Sequence, residues 1–96
     1  MSNLVLTRKA GESVRLMIGQ RTEYLEILEV TGGFCKVRLL SNLHVERVRF
    51  RGEMQIAEGV TVTVLDLAKG HAKLGFDVPR DVHILRTELI KEKEND

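Results

Sequence analysis

The chain has 96 residues, 43% of them hydrophobic and 30% charged, with a formal net charge of +1 at pH 7. It is too apolar for disorder, too short for more than one domain or two small units sharing a core, and too nearly neutral for a general polyanion binder. Its one cysteine, Cys35, excludes an intramolecular disulfide and a cysteine-based zinc site, and its place in an alternating run makes it a small buried residue.

Hydrophobic runs are short and alternating, which predicts strands. In chain order they cover residues 4–8, 13–18, 24–30, 34–40, 45–51, 54–57, 60–67, 71–76 and 82–86. Turns are expected at Ala10-Gly11-Glu12, at Gly19, at Thr31-Gly32-Gly33, at Ser41-Asn42, at Gly52-Glu53, at Glu58-Gly59 and at Ala68-Lys69-Gly70. Asp77-Val78-Pro79-Arg80 forms a loop, and Thr87 caps a short helix over residues 88–94 with acidic residues in its first turn. The opening MSNLVLTRKAG fits neither a secretory nor a transit peptide, and no apolar run approaches membrane-spanning length. The expectation is a soluble cytoplasmic protein with no membrane contact.

The strand pattern is stated twice. Displaced by 37 residues, Leu25 meets Val62, Ile27 meets Val64, Cys35 meets Ala72, Val37 meets Leu74 and Leu39 meets Phe76. Gly33 meets Gly70 at the hairpin, Lys36 meets Lys73, Val45 meets Val82 and Arg49 meets Arg86. Gly11-Glu12 before Val14-Arg15-Leu16 has a counterpart in Gly52-Glu53 before Met54-Gln55-Ile56. A core face matching a core face through two turns points to a duplication. The expected architecture is all-β: two intertwined repeats of about nine short strands in a single domain, with one short C-terminal helix at about 87–94. Repeat one covers about 4–51 and repeat two about 45–86, so the strand 45–51 is shared, last in one repeat and first in the other.

Leu4-Val5-Leu6-Thr7-Arg8-Lys9-Ala10-Gly11-Glu12 with Leu16-Met17-Ile18-Gly19 resembles the opening of the carbon storage regulator (CsrA/RsmA) family. Val60 to Leu65, then Gly75-Phe76-Asp77-Val78-Pro79-Arg80-Asp81-Val82, then Arg86-Thr87-Glu88-Leu89, resembles the rest of it in order. The resemblance implies a homodimer of five-stranded chains whose first and last strands pair with the other subunit, making two sites for GGA-containing RNA in mRNA leaders or small regulatory RNAs. It implies translational or other post-transcriptional regulation, and no cofactor. A tandem copy supplies both halves covalently as a monomeric pseudo-dimer; if the middle is instead an insertion, a homodimer remains.

On that resemblance, one RNA site joins Leu6, Thr7, Arg8 and Lys9 to Val78, Pro79, Arg80, Val82, His83, Ile84 and Arg86. Arg8 and Arg86 offer planar forks to guanine edges or phosphate, and Leu6 and Ile84 offer apolar surface to bases. A second, eroded site would hold Arg47, Arg49 and Arg51, but it lacks Leu-Thr-Arg and has Asn42 in place of Pro79. For any one of these arginines alone, a charge that discourages edge pairing is the simpler reading. Few aromatic residues are available for stacking. His44, His71 and His83 have no ligand spacing, and no catalytic triad or phosphate loop is present, so an enzyme is not expected. The competing reading is a protein-interaction module that pairs with an ordinary family member or with its protein antagonist.

Overall fold

A computed structural model describes residues 2–79 and 82–86; the expected helix at 87–94 lies outside the described residues. These residues form nine strands and no helix: β1 (Ser2–Lys9), β2 (Ser13–Ile18), β3 (Arg21–Val30), β4 (Phe34–Leu39), β5 (Val45–Arg49), β6 (Glu53–Ala57), β7 (Val60–Ala68), β8 (His71–Val78) and β9 (Val82–Arg86). They build two antiparallel sheets, one in the order β1-β8-β7-β6 and the other in the order β5-β4-β3-β2-β9. Period-two alternation sends one face of each strand inward. Val14, Leu16, Leu25, Ile27, Val37 and Cys35 from one sheet are fully buried, as are Val60, Val62, Val64, Ala72, Leu74 and Phe76 from the other. Together they form one core between the sheets.

The two sheets share their register. The pairs Leu25–Leu39, Glu26–Arg38, Ile27–Val37, Glu29–Lys36 and Val30–Cys35 join β3 to β4. Each recurs 37 positions later between β7 and β8, as Val62–Phe76, Thr63–Gly75, Val64–Leu74, Asp66–Lys73 and Leu67–Ala72. The bulge recurs too, between Ile27 and Glu29 in one sheet and between Val64 and Asp66 in the other. A bulge adds local twist, so both sheets coil at the same place.

The end strands are exchanged between the halves. β1, the first strand, pairs with β8 in the second half, and β9, the last, pairs with β2 in the first half. β1 lies over β3, and β5 lies under β6 and β7. The edge strands β1 and β9 therefore end the two layers on one side of the sandwich, and β6 and β5 end them on the other.

The chain crosses between layers at two matching corners. At the first, Gly11 N–H donates to the Ile27 carbonyl, Ile27 N–H to the Glu12 carbonyl and Glu12 N–H to the Lys9 carbonyl. At the second, the same three bonds run from Arg51 to Val64, from Val64 to Gly52 and from Gly52 to Arg49. The structure thus equates Gly11 with Arg51 and Glu12 with Gly52, one residue off the sequence reading that matched Gly11-Glu12 with Gly52-Glu53. Gly11 and Arg51 both have positive φ, +92° and +64°.

The shared strand is corrected in two ways. It ends at Arg49, because Phe50 and Arg51 turn the corner. Its strand pairing is with β4, the position β1 takes beside β8, whereas the last strand of a first repeat would lie on β6. Val48 sits opposite Cys35 as Arg8 sits opposite Ala72, so β5 is the structural counterpart of β1. Among the described residues no strand covers the outer edge of β6.

Candidate nucleic-acid interface

β1 alternates inward and outward. Leu4, Leu6 and Arg8 turn toward the interior, while Val5, Thr7 and Lys9 are exposed. Leu6 keeps only 5% of its exposure and belongs to the core, which corrects the expectation that it offers apolar surface to bases. Arg8 is also buried, at 3%, and its Nε donates to the Thr7 carbonyl at 2.7 Å. This orientation differs from the exposed fork expected of it. Strand geometry is the cause: Leu6 and Arg8 sit two apart, so both share the face that packs on β3.

Val78 is buried at the end of β8. Pro79 follows, half-buried, with Gly59 close beneath it: a Cβ on Gly59 would lie 3.3 Å from Pro79 Cγ. Val82 N–H donates to the Pro79 carbonyl at 3.1 Å and closes the turn into β9. In β9, Val82 and Ile84 face the core and His83 is exposed. Arg80 and the side chain of Arg86 lie outside the described residues. The backbone of Arg86 pairs with Val14, just past the corner that ends β1 at Lys9. Sequence-distant Lys9 and Arg86 are thereby brought to one corner of the molecule. The surface offered there by the described residues is Thr7, Lys9 and His83, with the half-buried Pro79 at the far end of β9.

On the opposite side, Val45, Arg47 and Arg49 of β5 point outward beside Phe34, Lys36 and Arg38 of β4. Arg47 Cζ lies 5.6 Å from the centre of the Phe34 ring, and Arg51 Cζ 5.2 Å from that of Phe50. Arg38 is paired with Glu26 at 2.7 Å, and His44 with Glu46 at 3.0 Å. Among the described residues Arg47, Arg49 and Arg51 form no salt bridge. The two phenylalanines went unremarked in the sequence because Phe34 fits an alternating strand and Phe50 sits in a corner; their proximity to arginines is a product of pairing.

Glu23 was also missed. It is buried at the inward end of β3, where its carboxylate accepts the amides of Tyr24 and Ser41 and the hydroxyl of Ser41. Burial acts to raise its pKa, but these hydrogen bonds, with the charge of Arg21, hold it below the ordinary value of 4.5. It ties the turn that launches β5 to the body of the sheet. Cys35 is buried, and burial pushes its thiol up to about 11. Among the described residues no cluster could hold a metal ion, and no helix is long and apolar enough to cross a membrane.

Two antiparallel sheets that exchange their end strands define a small intertwined β-sandwich. A match to the global regulator protein family, CsrA, spans residues 47–95, and the chain belongs to that family. It is 37% identical over 41 residues to a translational regulator CsrA from Campylobacter jejuni, covering 43% of this chain and 55% of that protein. It is 39% identical over 44 residues to a translational regulator CsrA from Desulforamulus reducens, covering 44% and 55%. The chain spans about half the length of the curated relatives it matches. No solved structure gives a significant match.

Proposed function

We propose that this protein is a post-transcriptional regulator: a monomeric pseudo-dimer, two CsrA-like repeats fused at β5, with one site for GGA-type RNA. The observation that carries this is the exchange of end strands. β1 lies in the sheet of the second half and β9 in that of the first, an arrangement that two separate chains would otherwise provide. The match to CsrA and the regulators named translational regulator CsrA support the RNA reading. The site lies where the β1 and β9 edges meet. Thr7, Lys9, His83 and Arg86 supply contacts there, together with Arg80 and the strand and Pro79 backbone. Leu6, Val78 and Val82 set the strands' positions from within, and Arg8 braces the β1 end. Unstacked bases are read by such strand edges and planar guanidinium groups.

Mass and stoichiometry measured in one experiment test it. Light scattering on an RNA titration is expected to give a 10.9 kDa monomer binding one GGA hairpin. Arg86→Ala is expected to weaken binding by about 1–3 kcal/mol, roughly five- to 150-fold. A stable dimer would overturn the pseudo-dimer, and an Arg86→Ala variant as tight as the native protein would overturn the site. The outer edge of β6, which no described strand covers, favours one other reading, a module that accepts a strand from an ordinary family member or protein antagonist. Native protein that ignores RNA at micromolar concentration but binds such a partner would establish that alternative.

A further inference from the structure

We propose that the outer face of β4 and β5, with the corner that follows, is a separate surface that grips single-stranded RNA through phosphates and base stacking without reading sequence. Its parts are Phe34, Arg47, Arg49, Phe50 and Arg51. Phe34 and Arg49 are directly opposite across the β4–β5 pair, and Arg47 reaches diagonally over the Phe34 ring. Phe50 is 48% exposed with Arg51 over its ring. A guanidinium held near a ring keeps its donors available for phosphate, and both ring and guanidinium faces can take a base.

Three comparisons within the molecule set this surface apart. The neighbouring Arg38 is already engaged by Glu26, whereas the three arginines form no ion pair among the described residues. The equivalent place on the other sheet carries His71 for Phe34, Thr7 for Arg47 and Lys9 for Arg49, an imidazole in place of the phenyl ring and one cation in place of two. The equivalent corner is Ala10-Gly11-Glu12 where this one is Phe50-Arg51-Gly52. Arg51 therefore holds a left-handed backbone, φ +64°, that Gly11 adopts freely. Strain kept by a long cationic side chain marks a residue retained for contact. Edge protection explains arginines but not the half-buried Phe34 or the exposed Phe50, which would invite association. Stacking needs unpaired bases, so the partner is a single strand, not a duplex.

The surface is distinct from the β1–β9 site: β5 and β9 are opposite edges of one five-stranded sheet, about 19 Å apart at ~4.8 Å per strand. Fluorescence anisotropy tests it with a GGA-free oligouridine of about 12 nucleotides, the same length of oligothymidine, and a minimal GGA hairpin. Native protein is expected to bind oligouridine and oligothymidine within a few-fold of each other, with a log–log salt slope near −2 for three phosphates. Arg47→Ala/Arg49→Ala should weaken oligouridine about tenfold and make the slope shallower by ~1.4, while the hairpin changes little. Phe34→Leu/Phe50→Leu should weaken oligouridine severalfold and leave the slope unchanged. Arg86→Ala should bind oligouridine as the native protein does, which separates failure here from failure of the GGA site. Equal urea midpoints establish folding; should the alanine pair fail to fold, Arg47→Lys/Arg49→Lys retains charge and should lose affinity through its lost planar forks. Native protein without oligouridine binding at about 50 mM salt, or variants matching it in affinity and slope, would overturn the surface. Inorganic polyphosphate competing as well as oligouridine would overturn the stacking part.

Discussion

The two ends of the sandwich are built on one plan and finished differently. At one end β1 and β9 are separate strands, and β9 covers the outer edge of β2. At the other end one strand stands where two would be needed, and β6 is left without a described neighbour on its outer side. The edges differ accordingly. β2 keeps six consecutive pairs with β3, whereas β6 has five residues and a register shift between Gln55 and Ala57. Glu53 opens it and Glu58 follows it, both exposed. Shortness, a bulge and charge are how natural edges avoid strand capture. The side of β6 that no described strand covers thus carries the marks of a protected edge.

Why β5 serves β4 and not β6 follows from its alternation. Beside β4, Val48 faces the core opposite Cys35 and Arg47 faces water. As a counterpart of β9 it would take the register in which Arg47 stands where Ile84 packs, and Arg47 would be pressed inward. Burying an unpaired guanidinium costs more than the strand could return. Val48→Lys is therefore expected to have the largest effect of any change discussed, several kcal/mol, leaving the chain without a cooperative urea transition. Arg47→Ala should shift the transition by no more than about 0.5 kcal/mol. If the ranking is reversed, β5 lies on β6 in solution and the comparison between the ends collapses.

The edge strands sharpen the comparison next. Leu16 in β2 is fully buried beneath the ladder that β9 completes, and Ile56 in β6 retains 9% exposure beside the edge that no described strand covers. Both point into the same core, so a composition-based expectation would rank them equally. Leu16→Ala should cost toward the upper part of the ~2–5 kcal/mol range for buried aliphatics, and Ile56→Ala toward the lower part. An open edge can relax or admit water, whereas a covered one keeps the cavity. Equal costs in urea melts would mean that β6 is covered in solution.

Glu23 tests the turn that hands β5 to β4. Its pKa is depressed in the fold, so its contribution is present above the ordinary value of 4.5 and is lost as pH falls through the lower folded value. Acid melts of the native protein should show that loss, and Glu23→Gln should remove it. Gln keeps one carbonyl oxygen for the donors on Tyr24 and Ser41, and the expected cost at neutral pH is about 1–3 kcal/mol. The counterpart position in the other sheet is Val60, fully buried, so no matching acid step arises there.

These contrasts show what the sequence could disclose. All nine strands, the hairpin glycines and the inward set from Leu25 to Phe76 were legible, because half-buried strands alternate and the pattern recurs 37 positions later. The double identity of residues 45–51 was not resolvable by matching letters: Val45 and Arg49 resemble Val82 and Arg86, and only the inward place of Val48 decides. The inward places of Leu6 and Arg8 were not legible, because a motif gives residue types and not which way a strand turns. Glu23 bonds to Ser41, eighteen positions away, and Phe34 meets Arg47 only through the β4–β5 register. Such pairs depend on tertiary register, which a single sequence states only weakly.

A small expected effect lies at the corners and bears most directly on what the second end is for. Gly11→Ala should destabilise by about 1 kcal/mol, since a Cβ is unfavourable at φ +92° although no atom would crowd it. Arg51→Gly relieves the same backbone at φ +64°. Set against the added freedom of the unfolded chain, the net change should be neutral to about 1 kcal/mol stabilising. Gly52 offers the control: a Cβ there would lie 2.9 Å from the Arg49 carbonyl oxygen, so Gly52→Ala should destabilise although its φ is unexceptional. If Arg51→Gly is at least as stable as the native protein yet binds oligouridine more weakly, the strain is kept for the contact. If Arg51→Gly is instead clearly destabilised, the guanidinium over the Phe50 ring holds the corner together, and Arg51 belongs to the scaffold and not to the RNA surface.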